Sequence, residues 1–168
     1  MSEAAAELSQ QYLTFGLGDE SFAVDVAKAR EVLDSSNITK VPQTPDYMLG
    51  VINLRGSVVP VIDMRLKFGM EAAERTIDTC IIVLEIHADD GEPLTISVQA
   101  DSVQEVLDIT ESQIEPPPRL GTKLDTDFIK GMGNCNDEFV IILDIDKVFT
   151  TEELVLLEGA YKKESEKE

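Results

Sequence analysis

Two aspartates, Asp63 and Asp144, close similar apolar runs, "VVPVID" and "VIILD". Equivalent acids contributed by a duplicated unit can meet and divide into a general acid and a general base. An Asp at the end of an apolar strand also commonly accepts backbone hydrogen bonds at the following turn, and that structural role is the expectation for both. The other chemistry-bearing residues are sparse. Cys80 and Cys135 are too few and too far apart for a disulfide framework or a four-ligand zinc site, and are expected to be structural or incidental thiols. His87 is the one histidine, has no Ser, Cys or ligand cluster near it in sequence, and reads as a surface imidazole. "GMGNCND", residues 131–137, lacks the lysine and spacing of a phosphate loop and the full dinucleotide pattern. "DITESQIE", residues 108–115, lacks the ligand order of a calcium-binding loop. No cofactor or metal is expected.

Asn53-Leu54-Arg55-Gly56, inside "VINLRGSVVPVIDMR", asks for a different explanation. A guanidinium beside a tight turn can pair in two-pronged fashion with a carboxylate, present a directional contact to another protein, or simply sit in solvent. Glu31 is the candidate mate.

The elements that would position these residues occur in two copies. "YLTFGL", "SFAVDV" and "REVL" read as strands, "NITKVPQTP" as a proline bend, and "DYMLGVINLR" as a brief helical turn leading into a strand. Gly56-Ser57 offers a hairpin turn into "VVPVIDM", where Pro60 suggests an edge or bulged position. At an offset of 74, Phe22, Val24, Glu31, Val32, Leu33, Asp34 and Pro42 correspond to Ile96, Val98, Glu105, Val106, Leu107, Asp108 and Pro116. Beyond the prolines the offset is 81, pairing Gly50 with Gly131, Val61 with Ile142 and Asp63 with Asp144, while Asn136 stands opposite Arg55. A duplicated antiparallel strand unit fits this order better than a βαβ sheet, for which long helical segments are lacking. "KFGMEAAERTIDT" reads as a polar connector and "CIIVLEI" as a well-buried strand. Helices are expected within residues 122–132, ended by Gly131 or Gly133, and from Thr151 to about Tyr161.

The chain has 168 residues, 43% hydrophobic, with no Trp, so Val, Ile and Leu must supply most of the core. Its net charge of -19 opposes binding to a phosphate backbone, and nucleic acid is not an expected partner. The charge is uneven: residues 1–84 carry 7 basic and 12 acidic side chains, residues 85–168 carry 7 and 21. No apolar run approaches the roughly 20 residues of a membrane span, and Met1 to Gln10 does not read as a secretory leader. A cytoplasmic protein without direct membrane insertion is expected.

Along nearly its whole length, roughly residues 11–157, the chain resembles the CheW family of chemotaxis coupling proteins. The resemblance rests on "YLTFGLGDESFAVDVAKAREVL", "ITKVPQTPDYMLGVINLRGSVVPVIDMRLKF", "DSVQEVLDI", "FIKGMG" and "VIILDIDKVF", of which "GVINLRGSVVPVIDMR" is the most specific. It implies an all-β fold of two SH3-like five-stranded β-barrel subdomains packed together, with short helices and a C-terminal helix. It divides the chain into a flexible N-terminus (1–10), a CheW-like domain of two intertwined lobes (about 11–79 and 80–157) and a charged tail (158–168). It further implies a non-enzymatic adaptor joining the cytoplasmic tip of methyl-accepting chemoreceptors to the regulatory domain of a CheA-type histidine kinase, recruited to membrane-associated receptor arrays. Glu31 and Arg55 match the family's acidic and arginine positions, implicated in a supporting ion pair and in partner coupling. Asn53 and Gly56 match the rest of its "NxRG" signature, and Gly50 a position of close backbone approach. Val98 and Val103 match apolar positions around the receptor groove. "SVQAD", residues 97–101, departs from the family's small apolar residues there, so Ser97 and Gln99 are expected to add polarity near that groove. The alternatives are a hydrolase built on paired acids and a CheW-like regulatory domain of another signalling protein.

Overall fold

The computed structural model describes residues 9–34, 38–42, 45–87, 93–116, 128–135 and 137–149. Among the described residues, eleven strands form two mixed sheets. The strands β1 (Ser9–Leu17), β2 (Glu20–Asp25), β8 (Ser102–Thr110), β9 (Ile114–Glu115), β10 (Ile129–Cys135) and β11 (Glu138–Leu143) form one sheet in the order β8-β1-β2-β11-β10-β9. The others, β3 (Ala29–Asp34), β4 (Met48–Leu54), β5 (Ser57–Asp63), β6 (Cys80–His87) and β7 (Pro93–Ala100), form a second in the order β3-β6-β7-β5-β4. A single helical turn, α1 (Met64–Lys67), follows β5.

The duplication is present, and the two copies exchange strands. Val61 of β5 pairs in parallel with Ser97 of β7, and Ile142 of β11 with Ala23 of β2, so the same contact is made twice at offsets of 81 and 74. Pairing of β1 with β8 and of β3 with β6 repeats in the same way: Leu13 opposite Val106 mirrors Ile82 opposite Val32, which adds an offset of 69 between β1 and β6. Each sheet therefore takes strands from both copies. The division near residue 79 separates copies of the repeat and not sheets.

Each sheet closes on itself. Beyond β3 the chain crosses to β4, where Thr39 and Val51 exchange backbone hydrogen bonds of 2.8 Å. Beyond β8 it crosses through a short turn to β9, which pairs with β10. The strand at one edge thus continues onto the strand at the other, removing the free edge that an open sheet would present. This crossing explains the repeated glycines. A Cβ on Gly50 would lie 2.2 Å from the carbonyl oxygen of Thr39, and one on Gly131 would lie 2.5 Å from Ile114 Cγ2 and 2.9 Å from the carbonyl oxygen of Glu115.

The alternation of side chains fills three apolar clusters. Tyr12, Ala23, Ile109, Val140 and Ile142 fill the first barrel, while Ile52, Val59, Val61 and Ile81 fill the second. The opposite faces of β1, β2, β5, β6 and β7 meet in the largest cluster, which includes Phe15, Val24, Ile62, Ile82 and Val98 and joins the barrels. β6 is apolar on both faces because it lies between β3 and β7 and touches both cores, as its unbroken "CIIVLEI" predicts.

Cross-copy side-chain contacts finish the junctions. Phe68 stacks on Phe128 at 5.1 Å between ring centroids, and the equivalent pair, Phe149 and Tyr47, lies at 6.4 Å with Lys67 over both rings. At one junction Asp101, between β7 and β8, accepts from Arg65 Nη1 of α1 at 2.6 Å and from the Gly18 amide at 2.7 Å. At the other, Asp146, after β11, accepts from Lys28 Nζ at 2.9 Å and from the His87 amide at 2.8 Å.

Several sequence expectations change. Arg55 and Gly56 make the β4–β5 turn, one residue earlier than Gly56-Ser57, because both adopt positive φ, 52° and 86°, as a two-residue hairpin loop of right-handed twist requires. Pro60 lies in an interior strand, not at an edge; the parallel ladder to β7 begins at Val61, one residue later than its counterpart at Ile141. Ile129–Met132 is strand, not helix, because Gly131 and Gly133 are cross-over and packing positions; residues 122–127 lie outside the described residues, as does the expected helix from Thr151. The brief turn before β4 is present, with Met48 N–H donating to the Pro45 carbonyl at 2.9 Å.

Both cysteines are free thiols, and Cys80 is buried. Burial, and then Asp101, Asp34 and Asp78, push the Cys80 thiol upward, and burial alone does so for Cys135. A thiol raised in the folded state disfavours folding only as pH climbs past the ordinary thiol range, where the unfolded chain ionises first. In the folded protein at pH 8, Cys80 is expected to react with a thiol reagent at least tenfold more slowly than in urea; equal rates would place Cys80 outside the core.

Candidate functional site

The β4–β5 turn is built for presentation. The side-chain oxygen of Asn53 accepts from the Gly56 amide at 2.9 Å, which ties the loop across its base. Arg55 stands in the left-handed region at φ 52°, a conformation that costs a residue with a Cβ about 1 kcal/mol. Its guanidinium reaches Glu31 on β3 with both prongs, Nη1 to Oε1 at 2.9 Å and Nη2 to Oε2 at 3.2 Å. β3 and β4 are opposite ends of their sheet, so the pair spans the seam that Thr39 and Val51 close further along. The Arg55 side chain nevertheless remains 77% exposed, against 24% for Glu31. At that exposure the pair contributes roughly 0–1 kcal/mol. Its effect is to aim the guanidinium.

Beside the turn lies an open cavity of about 480 Å³ lined by Leu54, Arg55, Val58 and Val59 of the first copy and by Pro93 and Leu94 of the second. Ser57 and Thr95 complete the lining, and a charged fork beside a concave floor of mixed apolar and polar groups suits a protein surface with one polar anchor and an apolar neighbour.

Of the expected site residues, Glu31, Asn53, Arg55 and Gly56 come together in this turn. Gly50 is on the same hairpin at the barrel seam. Val98 and Val103 do not join them. Val98 is 1% exposed in the cluster between the barrels, and Val103, paired with Phe15, is partly buried against the same cluster. Ser97 faces the interior of the second barrel, where the first has Ala23, and donates to the Pro60 carbonyl at 2.7 Å; its polarity is thus spent internally and not offered to a groove. Gln99 is half-buried, with its side-chain oxygen enclosed and unpartnered.

Asp63 takes the structural role expected of it, whereas the Asp144 side chain makes no cap hydrogen bond. Asp63 is buried and caps α1, accepting from the Arg65 and Leu66 amides at 2.9 and 3.3 Å. Asp144 lies 3.9 Å from Lys147. Their backbones match, Asp63 N–H donating to the Tyr47 carbonyl and Asp144 N–H to that of Phe128, at 2.7 and 2.8 Å. Among the described residues no three His, Cys, Asp or Glu side chains group to hold a metal ion, and no helix is long and apolar enough to cross a membrane. His87 is exposed, with Lys28 Nζ 3.2 Å from its Nδ1. Sequence reasoning missed both junction ion pairs; the signal was there in Arg65 and Asp146, opposite charges at the 81-residue offset.

A closed double barrel that spends its one buried acid among the described residues, Asp63, on a backbone cap and holds an exposed arginine at a fixed turn is an interaction module. Comparison with known proteins agrees. The CheW-like domain family matches residues 11–153. Chemotaxis protein CheW of Klebsiella aerogenes is 34% identical over 96% of this chain and 95% of its own length, and that of Helicobacter pylori is 35% identical over 82% and 80%. Among solved structures, the scaffolding protein TtCheW from Thermoanaerobacter tengcongensis superimposes with a TM-score of 0.75 at 33% identity, covering 87% of this chain and 96% of that one. The chain belongs to the CheW-like family. It is a chemotaxis coupling adaptor, not an enzyme.

Proposed function

We propose that the β4–β5 turn, with Glu31, forms part of the surface that receives the regulatory domain of a CheA-type histidine kinase, and that the region between the barrels receives the cytoplasmic tip of a methyl-accepting chemoreceptor. The observation that carries the first half is Arg55, held by two prongs at a costly backbone angle and yet 77% exposed. A side chain fixed in this way loses little freedom on binding. Glu31, Asn53 and Gly56 set its direction, and Gly50 keeps the hairpin on the barrel seam. Val98, buried between the barrels, and Val103 at its margin shape the receptor-facing region from beneath, supporting it without direct contact by Val98.

The adaptor then works by position. Two modest contacts on one body raise the local concentration of each partner for the other and limit their relative orientation, so a change in the receptor can bias the kinase. This reading places the protein in the cytoplasm, at membrane-associated receptor arrays.

Calorimetric titration of the full chain with the regulatory domain of its cognate kinase tests the assignment. Saturable one-to-one binding is expected at micromolar concentrations, about -8 kcal/mol. Absence of heat and of co-elution at several hundred micromolar would remove the kinase from the account.

A further inference from the structure

The two junction ion pairs occupy equivalent places with their charges inverted. In the first, the base is Arg65, two residues after the strand-ending Asp63, and the acid is Asp101, at the crossover from β7 to β8. In the second, the acid is Asp146, two residues after Asp144, and the base is Lys28, at the crossover from β2 to β3. Arg65 and Asp146 are related by 81 residues, and Lys28 and Asp101 occupy corresponding crossovers. The amides that complete each carboxylate, Gly18 and His87, are related by the 69-residue offset. Each pair joins one copy to the other. All four side chains are at least two-thirds buried except Asp101, at 34% exposed, so the charges meet under reduced screening.

The inversion has a consequence for pairing. Because each barrel is completed by strands of the other copy, two first copies from different chains present the same strand edges as a first and a second copy. Apolar pairs do not distinguish these cases, since Phe68 with Phe128 and Phe149 with Tyr47 are aromatic in either combination. The charges do. First copy against first copy sets Arg65 against Lys28, and second against second sets Asp146 against Asp101. Only first against second brings opposite charges together at both junctions.

We infer that these four residues are a pairing code, by which each copy of the repeat accepts the unlike copy and refuses its own kind, including that of a second molecule of this chain. Refusal by like charge at a partly buried junction is a recognised route to specificity. The code goes beyond partner binding and concerns how the adaptor reaches a single architecture.

The test uses the full chain, unfolded in urea and refolded by dilution at low and high protein concentration, with mass read by size exclusion and light scattering. Lys28→Asp with Asp146→Lys keeps the intramolecular pair but gives both junctions the same polarity, so like copies become complementary. Arg65→Asp with Asp101→Arg does the same from the other side. For each double variant the fraction recovered at the mass of never-unfolded wild type is expected to fall severalfold, and to fall further as concentration rises. The quadruple variant restores the inversion while giving up the carboxylates that accept from the Gly18 and His87 amides, and is expected to recover severalfold better than either double variant. Equal recovery for wild type and both double variants overturns the inference. So does failure of the quadruple variant to recover, which would show that local disruption, not charge matching, governs refolding.

Discussion

Gly50→Ala is expected to destabilise the protein by about 4 kcal/mol or more, enough to leave a marginal fold. The added Cβ would meet the Thr39 carbonyl oxygen at 2.2 Å and its carbon at 2.8 Å. Both are backbone atoms of the segment that closes the barrel, and Thr39 is held by hydrogen bonds of 2.8 Å to Val51, the residue after Gly50. Movement that relieves the overlap breaks the closure. The φ of 147° at Gly50 adds strain for any residue with a side chain. Gly131→Ala should cost less, about 1–3 kcal/mol, since its nearest neighbour is the Ile114 side chain and its φ is not positive. Gly56→Ala meets nothing within 4 Å and bears only the strain of φ 86°, about 1 kcal/mol. Urea midpoints should therefore fall in the order Gly50, Gly131, Gly56. A Gly50→Ala protein as stable as Gly56→Ala would mean that the crossing is not the constraint described.

The second large effect concerns binding without unfolding. Arg55→Ala removes the fork but keeps a Cβ at φ 52°, whereas Arg55→Gly removes the fork and the strain together. Stability should change by less than about 1 kcal/mol for the first and rise by up to about 1 kcal/mol for the second. Both should weaken capture of the kinase regulatory domain by about 30-fold, the roughly 2 kcal/mol of an interface hot spot. Arg55→Lys should fall between, as it keeps the charge and loses the two-pronged geometry. Opposite directions in stability and affinity for Arg55→Gly would be hard to explain by damage to the fold. If Arg55→Gly binds as wild type does, the turn supports the barrel and no more.

Much of this architecture is legible in the chain. The offsets of 74 and 81 identify equivalent strands of the two copies residue by residue, and Gly50 with Gly131 marks the same crossing twice, because a close backbone approach leaves a glycine behind. Glu31 and Arg55 could be matched because a fork at a turn needs a carboxylate and few candidates fit the repeat. What stayed hidden depends on which copy supplies the neighbour. A repeat in sequence does not show that its units trade strands, so Asp101 and Arg65 could not be joined on the page. Ser97 illustrates the same difficulty: alternation places it opposite Val98, but only the completed barrel shows which face is the interior and that the Pro60 carbonyl waits there. Pro60 misled for a related reason, since its missing donor matters only where a ladder asks for one.

Strand exchange also constrains how this chain is made. β1 and β2 leave the ribosome first, yet their outer neighbours are β8, which starts at Ser102, and β11, which ends at Leu143. The second sheet is likewise incomplete until β7 ends at Ala100. High contact order of this kind delays the folding nucleus and lengthens the interval in which apolar edges are bare. A nascent chain halted near residue 80 has two of the six strands of the first sheet and three of the five strands of the second, and a complete set of neither. Duplication here has therefore given a protein whose two halves must be translated together to be folded at all, and loss of either half by truncation should leave a target for proteolysis instead of a smaller adaptor.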